Sequence, residues 1–256
     1  MIQTHAPVHS VEEIASGIFR LSFRSREVAS AALPGQFVNV KVNDSLFPLL
    51  RRPFSIFSVE SEAVSIVFNV IGEGTRILVS KKPGDVVDVI GPLGNGFSVA
   101  MDSKNYKTAL IVAGGLGIAP FPFLLSQIGK DKKVLSFTGA RTSNQIVRLG
   151  MGHMHIATDD GSEGFAGNVV DLLEEHLSHH HYELPRIFCC GPARMLKRLS
   201  DFAQKKGIEC YASLECAMAC GVGLCQGCPV ETINGKKKYV LVCKEGPVFE
   251  TSTVFV

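Results

Sequence analysis

The sequence has little charge imbalance: 26 Lys and Arg stand against 24 Asp and Glu, a net charge of +2. It also lacks any run of five or six like charges. Both absences argue against nucleic acid as a partner. There is no internal repeat and no low-complexity tract. Near the N-terminus Glu12 and Glu13 stand where a basic patch and an apolar stretch would mark a secretory leader, so none is expected. One uncharged segment, 108–129, approaches the length of a membrane span. Its centre reads Gly114-Gly115-Leu116-Gly117-Ile118-Ala119-Pro120. A strand, a tight glycine turn and a helix fit those breakers better than a span does.

What remains is ordinary globular composition, 46% apolar and 20% charged over 256 residues. A chain of that length can bury a core without relying on disulfides or metal. At about 100–200 residues per domain, it should form about two domains with a small appendix.

Three stretches differ in pattern. Residues 1–102 are β-rich, with strands expected at Ile18–Arg24, Gln36–Val42, Phe54–Val59, Val64–Ile71 and Asp85–Ile90 and a short helix at Thr75–Ser80. Breaks at Pro34-Gly35, Pro83-Gly84 and Gly91-Pro92 set a spacing that predicts a small antiparallel barrel. Residues 103–213 alternate strand and helix. Strands are expected at Ala109–Ala113, Lys133–Thr138, His153–Thr158, Arg186–Cys190 and Glu209–Ser213, and helices at Pro120–Ile128, Ser143–Leu149, Gly167–Leu177 and Ala193–Lys206. That alternation predicts a parallel sheet with helices on both faces, a fold that takes nucleotides at the carboxyl ends of its strands. Residues 214–256 are rich in glycine and cysteine, then form one hairpin, Pro229–Ile233 with Lys238–Val242 around Asn234-Gly235. About 40 residues cannot hold a core alone, so a bound cluster is the expected staple. The fold class is therefore α+β and multidomain: an antiparallel barrel, a parallel α/β sheet and a small C-terminal metal domain. The run His179-His180-His181 reads as a solvated helix end, since a metal site needs further ligands.

Of eight cysteines, Cys216, Cys220, Cys225 and Cys228 fall within 13 residues. Clustered thiols without a leader read as metal ligands before disulfides. Cys220-x4-Cys225-x2-Cys228 with a distant Cys243 has the spacing of a plant-type [2Fe-2S] centre. Glycines 221, 223 and 227 let the backbone close around a small cluster and aim N–H groups at its sulfurs. A four-thiolate zinc site is the alternative; the four-residue gap and the glycines favour iron–sulfur. Cys216 falls outside the ligand spacing and reads as a small buried residue.

The stretch Ser213-Leu214-Glu215-Cys216-Ala217-Met218-Ala219-Cys220 through Cys228, and the tail Cys243-Lys244-Glu245-Gly246-Pro247-Val248-Phe249, resemble the cluster segment of the dihydroorotate dehydrogenase B electron-transfer subunits, within the ferredoxin reductase superfamily. Cys216 departs from that pattern, where a polar residue is expected, but it is not at a ligand position. The resemblance implies Cys220, Cys225, Cys228 and Cys243 as cluster ligands. Arg51-Arg52-Pro53-Phe54-Ser55 is similar to the superfamily's flavin motif R-P-x-S. This implies Arg52 on an FAD diphosphate, where a planar guanidinium matches phosphate oxygens, Ser55 at the flavin's reacting edge, and Pro53 and Phe54 holding the strand between them. Val67-Phe68-Asn69 would lie along the adenylate side, and Gly74-Thr75 would start a helix near the phosphates. Gly91–Phe97 is similar to the superfamily's closing turn of the barrel.

Gly114, Gly115, Gly117, Ile118, Ala119 and Pro120 follow a strand and open a helix, as a nucleotide loop does, although the spacing is not G-x-G-x-x-G. By resemblance, Cys190-Gly191 matches the C-G motif beside the nicotinamide ring, which makes Cys190 the candidate catalytic residue; Cys189 reads as a buried strand cysteine. Thr158-Asp159-Asp160-Gly161 resembles a family T-D-D-G that borders the nucleotide. Only Arg141 offers itself for a 2′-phosphate, and it reads as a surface arginine, so NAD is expected over NADP.

The resemblance covers the full length. It implies an oxidoreductase subunit of pyrimidine biosynthesis that carries FAD, a [2Fe-2S] cluster and an NAD site. Its partner would be an FMN-containing dihydroorotate dehydrogenase subunit in a cytoplasmic heterotetramer, with no nucleic acid and no membrane span. The same layout could serve a hydrogenase or a sulfur reductase instead. A different class of reading is a nucleotide-binding module with a structural zinc.

Overall fold

A computed structural model describes residues 1–97, 106–233, 235 and 237–254. The expected boundary at 102/103 and Asn234 of the expected turn lie outside these residues.

The first part is a closed six-stranded antiparallel barrel, in the order β1-β2-β5-β4-β3-β6. Its strands are β1 (Ile2–Ala15), β2 (Ile18–Arg24), β3 (Phe37–Lys41), β4 (Arg52–Glu60), β5 (Ala63–Asn69) and β6 (Val86–Leu93). β1 was not among the expected strands, yet it closes the barrel by pairing with both β2 and β6. Alternate residues point inward, as the two-residue period of a strand requires. Val38 and Val40 of β3, Leu21 and Phe23 of β2 and Ile56 of β4 form the core. Phe37 and Asn39 of β3 therefore face outward, and both are nonetheless buried, at 3% and 0% exposure. They are covered by the C-terminal part of the chain. Two short helices, α1 (Arg26–Ala31) and α2 (Glu73–Val79), complete the barrel. α1, capped by Ser25, was also not expected.

The second part is a seven-stranded sheet in the order β10-β9-β8-β7-β11-β12-β15. Its strands are β7 (Thr108–Gly114), β8 (Lys133–Ala140), β9 (Met154–Thr158), β10 (Phe165–Ala166), β11 (Pro185–Cys190), β12 (Glu209–Ser213) and, from the C-terminal segment, β15 (Val248–Glu250). All neighbours run parallel except β15, which adds antiparallel to β12. The helices are α3 (Phe121–Gln127), α4 (Val169–His179) and α5 (Ala193–Lys206), the last ended by a left-handed Gly207. Leu110 and Val112 of β7 pack with α4 and α5 residues, and Ala109, Ile111 and Ala113 pack with Phe121 and Leu124 of α3. Both faces of the sheet are thus covered.

One expected helix is corrected. Ser143–Leu149 holds only a three-residue 3-10 turn, Ser143–Gln145. The carbonyl of Asn144 accepts from the N–H of Ser16, at the turn between β1 and β2. It is therefore spent on docking this loop to the barrel instead of continuing a helix. The long uncharged segment is β7, a 3-10 turn (Gly115–Ile118) and α3. Among the described residues, no helix is long and apolar enough to cross a membrane.

The C-terminal part carries the small hairpin β13 (Pro229–Glu231) with β14 (Tyr239–Leu241). Among the described residues it has no separate core: Cys228, Leu241, Val242 and Cys243 share one cluster with Phe37 and Leu93 of the barrel and with Ala212 of the sheet.

Candidate flavin and cluster site

A groove of about 530 Å³ lies where the three parts meet. Its barrel wall is Arg52, Pro53, Phe54 and Ser55 of β4, Val67, Phe68 and Asn69 of β5, and Gly72–Thr75 at the start of α2. Every residue expected at the flavin is in that wall. Arg52 lies over Gly74: a Cβ there would sit 2.6 Å from the Arg52 Nε. The Thr75 hydroxyl donates to the Gly72 carbonyl at 3.0 Å and accepts from the N–H of Ile71 at 3.1 Å, which fixes the turn beneath the arginine. Phe68 is directed to the barrel core, stacked on Phe19.

The opposite wall was not anticipated. Leu116 and Ala119 enter from the glycine loop, and Ser213, Leu214, Glu215, Cys216 and Met218 from the segment that leads to the cysteines. Cys216 is half-buried in this wall. Burial, then the neighbouring Cys228 thiol, push its own thiol up to about 11. Burial also raises the Glu215 carboxyl above its ordinary value. Only a three-dimensional juxtaposition places these residues on the same groove as the barrel wall.

The nucleotide-loop residues gather at the carboxyl ends of β7 and β11. Gly114 ends β7, Gly115–Ile118 form the 3-10 turn, and Ala119 and Pro120 lead into α3. Gly117 presses on the other loop: a Cβ would meet the Cys190 carbonyl oxygen at 2.2 Å and the Gly191 nitrogen at 2.6 Å. Gly191 in turn lies against the backbone of Gly114. Cys190 is buried at the end of β11, opposite Ser213 in register. Burial, and then the charge of Glu215, push its thiol well up; Cys190 lies behind Ser213 and does not itself line the groove. Cys189 is buried with its sulfur 3.7 Å from that of Cys210. Asp159 and Asp160 begin the turn that follows β9. Arg141 follows β8, outside the groove.

The four expected ligands fall into two pairs. The Cys228 and Cys243 sulfurs are 3.1 Å apart and buried. Cys220 accepts from the backbone N–H of Cys225 and of Val222, each at 3.4 Å. Burial opposes ionisation of Cys220, but these N–H groups outweigh it and bring the thiol down to about 6. Gly221 is left-handed, and a Cβ on it would meet the Asn39 amide nitrogen at 2.7 Å. Among the described residues, no three Cys, His, Asp or Glu side chains converge as a single-ion site. Two thiol pairs with N–H groups aimed at sulfur suit a two-iron cluster, whose irons each take two cysteines.

The barrel and the cluster segment are locked together. The Asn95 side chain donates to the carbonyls of Lys244 and Glu245, both at 3.1 Å, and its N–H donates to Gly246 at 2.6 Å. The closing turn of the barrel is thus bound to the tail that carries Cys243.

Residues 215–255 match the iron–sulfur cluster binding domain of dihydroorotate dehydrogenase B. Over 261 residues, the chain is 38% identical to the dihydroorotate dehydrogenase B (NAD(+)) electron transfer subunit of Bacillus velezensis, covering 99% of both chains. The chain belongs to this family of electron transfer subunits. The corresponding subunit of Geobacillus kaustophilus is 38% identical over 254 residues, with 96% of each chain covered. Among solved structures, an NADH-dependent reduced ferredoxin-NADP oxidoreductase, described in connection with flavin-based electron bifurcation, superposes with a TM-score of 0.81. It is 27% identical, with 98% of this chain and 90% of that chain covered. A ferredoxin NADP+ reductase from Neisseria gonorrhoeae, at 18% identity, shares the fold with a TM-score of 0.69, covering 80% of this chain and 92% of that one. This chain thus shares the barrel and sheet with both reductases, and the first superposes on nearly its whole length, the cysteine-bearing C-terminal part included, whereas the second covers only 80% of it.

Proposed function

We propose that this chain is the electron-transfer subunit of a dihydroorotate dehydrogenase. It would pass electrons from an FMN-bearing partner through a [2Fe-2S] cluster and FAD to NAD+, in a cytoplasmic heterotetramer of two such pairs. The carrying observation is the groove itself, where flavin-motif residues, the glycine loop and the lead-in to Cys220 form one wall system. A nicotinamide moves two electrons as hydride and an iron–sulfur cluster one at a time, and a flavin can do both. The chain's own task is placement and tuning.

In this reading residues 1–102 bind FAD, 103–213 bind NAD and 214–256 bind the cluster. Arg52 takes the diphosphate, over Gly74 and Thr75, and Ser55 faces the reacting edge. Pro53, Phe54, Val67, Phe68 and Asn69 shape the flavin wall. Gly114, Gly115, Gly117, Ile118, Ala119, Pro120 and Gly191 receive the nicotinamide nucleotide beside Cys190. Cys220, Cys225, Cys228 and Cys243 hold the iron. Cytoplasmic residence is proposed on the clustering of unpaired thiols.

The test is an anaerobic absorption spectrum of the purified chain, with iron and acid-labile sulfide counted on the same sample, followed by co-purification with the dihydroorotate-oxidising subunit of the same genome. Flavin bands, equal iron and sulfide and a stable complex are expected. A zinc-bearing, flavin-free chain after anaerobic reconstitution would establish the nucleotide-module reading instead.

A further inference from the structure

The β3–β4 hairpin ends in the apolar sequence Leu46-Phe47-Pro48-Leu49-Leu50. Leu46, Phe47, Leu49 and Leu50 are between 52% and 87% exposed. Isolated exposed leucines need no explanation, but four large apolar side chains within five residues form a patch. The loop is held in this shape by its polar residues. The Asn43 amide donates to the Phe47 carbonyl at 3.2 Å, Ser45 bonds the Phe47 backbone, and Lys41 pairs with Asp44 at 2.9 Å.

The strand beneath the hairpin connects it to the cluster. The outward row of β3 is Phe37, Asn39 and Lys41. Gly221 of the cluster loop packs on Phe37 and Asn39, and the Asn39 amide donates to the Cys220 carbonyl at 3.1 Å. Lys41 lies two residues, about 7 Å, further along the same row, and the apolar tip follows. Arg51 closes the hairpin. Its guanidinium donates to the carbonyls of Asp88 at 2.8 Å and Asn39 at 3.5 Å, and pairs with the Asp88 carboxylate at 2.5 Å. The guanidinium that ties the hairpin base thus bonds the very residue that holds the cluster loop. On that loop, Cys225 is exposed and its neighbour Leu224 is 82% exposed.

We infer that the hairpin tip Leu46–Leu50, together with Leu224, is the surface on which the FMN-bearing dehydrogenase subunit docks, so that the exposed Cys225 edge of the cluster faces the partner. This rests on the function proposed above. Five large, mostly exposed apolar side chains amount to several hundred Å², a substantial part of the roughly 800 Å² per partner that a stable interface needs. The tip is also pre-shaped, which lowers the ordering cost of association. Arg51 acts as a positioning residue, distinct from Arg52 one position later, which faces the groove.

The test compares the cofactor-loaded wild-type chain with a Leu46→Ser/Phe47→Ser/Leu49→Ser variant and with a distant control, Val134→Ser/Leu184→Ser. Each is titrated calorimetrically against the FMN-bearing dihydroorotate-oxidising subunit of the same genome. The triple variant should keep the flavin and cluster spectra and NADH-to-dye activity, and bind the subunit about 30-fold or more weakly; the control should bind like wild type. Leu46→Arg alone, at the most exposed position, should weaken binding in the same direction, and it decides the matter if the triple variant does not fold. Wild-type affinity in both hairpin variants overturns the inference and leaves the proposed function standing. A wild-type chain that does not bind this subunit overturns both. Self-association of the wild-type chain, lost in the triple variant with subunit affinity unchanged, assigns the patch to a second copy and also overturns the inference.

Discussion

The Asn39 side chain, on the outer face of the barrel, donates a hydrogen bond to the carbonyl of Cys220 at 3.1 Å. One amide therefore joins the strand whose Phe37 lines the groove to the first cysteine of the cluster loop, 181 residues later.

Asn39→Ala should loosen the cluster without releasing FAD. It leaves the Cys220 carbonyl without its partner in a partly buried setting, a loss of about 1 kcal/mol. The temperature at which the cluster's visible absorption bleaches should fall while flavin content at room temperature stays full. Unchanged bleaching would show that the Asn95 contacts alone seat the loop.

Arg52→Ala should weaken FAD binding by about 10- to 100-fold, the value of a charge-assisted contact to phosphate. Equilibrium dialysis of the deflavinated chain measures it directly. Arg52 reaches over Gly74 into the groove, so full-affinity binding in the variant would reassign the diphosphate.

Cys225→Ser should abolish the cluster and dihydroorotate-driven NAD+ reduction, while NADH-to-dye activity through FAD survives. The iron count and the two assays on one preparation separate these roles. Loss of dye activity in a folded, FAD-replete variant would contradict the division of labour.

The base of the sheet should be acid-sensitive. His155 stacks on Phe137 with ring centroids 4.8 Å apart, and His176 lies 4.6 Å from His155 and bonds Tyr182 at 2.7 Å. Burial, then the charges of His153 and His180, hold the His155 ring below its ordinary 6.5. Burial, then His155, His180 and Lys133, do the same for His176. The unfolded chain binds these protons more tightly. The stability they allow is therefore complete above about pH 6.5 and is lost as pH falls from there through the depressed folded values. His155→Phe keeps the stack on Phe137 and removes one of these sites, so urea denaturation at about pH 7.5 and about pH 5.5 should show a smaller difference than in wild type. An unchanged difference would place the acid sensitivity elsewhere.

Much of this was legible in the sequence because the signals were local. α5 and the strands β2 and β12 fall where hydrophobic period and turn residues put them, and the barrel wall of the groove contains every residue that Arg52-Pro53-Phe54-Ser55 and its companions pointed to. β1 was not legible. It carries Glu12, Glu13 and two histidines on its outer face and is defined by pairing with β2 and with β6, which lies some 80 residues away. β15 is a strand because β12 offers it an edge. Ser143–Leu149 has helical spacing, yet Asn144 gives its carbonyl to Ser16. Cys216 and Met218 lie outside the ligand spacing, and only the assembled groove gives them a place. In each case the deciding partner is remote in sequence.

The most direct test of the central claim is electron paramagnetic resonance of the purified chain, frozen after anaerobic reduction with NADH. If the chain carries electrons between nicotinamide, flavin and cluster, NADH should bleach the flavin and produce the signal of a reduced two-iron cluster, integrating toward one spin per chain. A fully reduced flavin with no cluster signal, in a sample whose iron and sulfide are complete and which dithionite does reduce, would contradict the account.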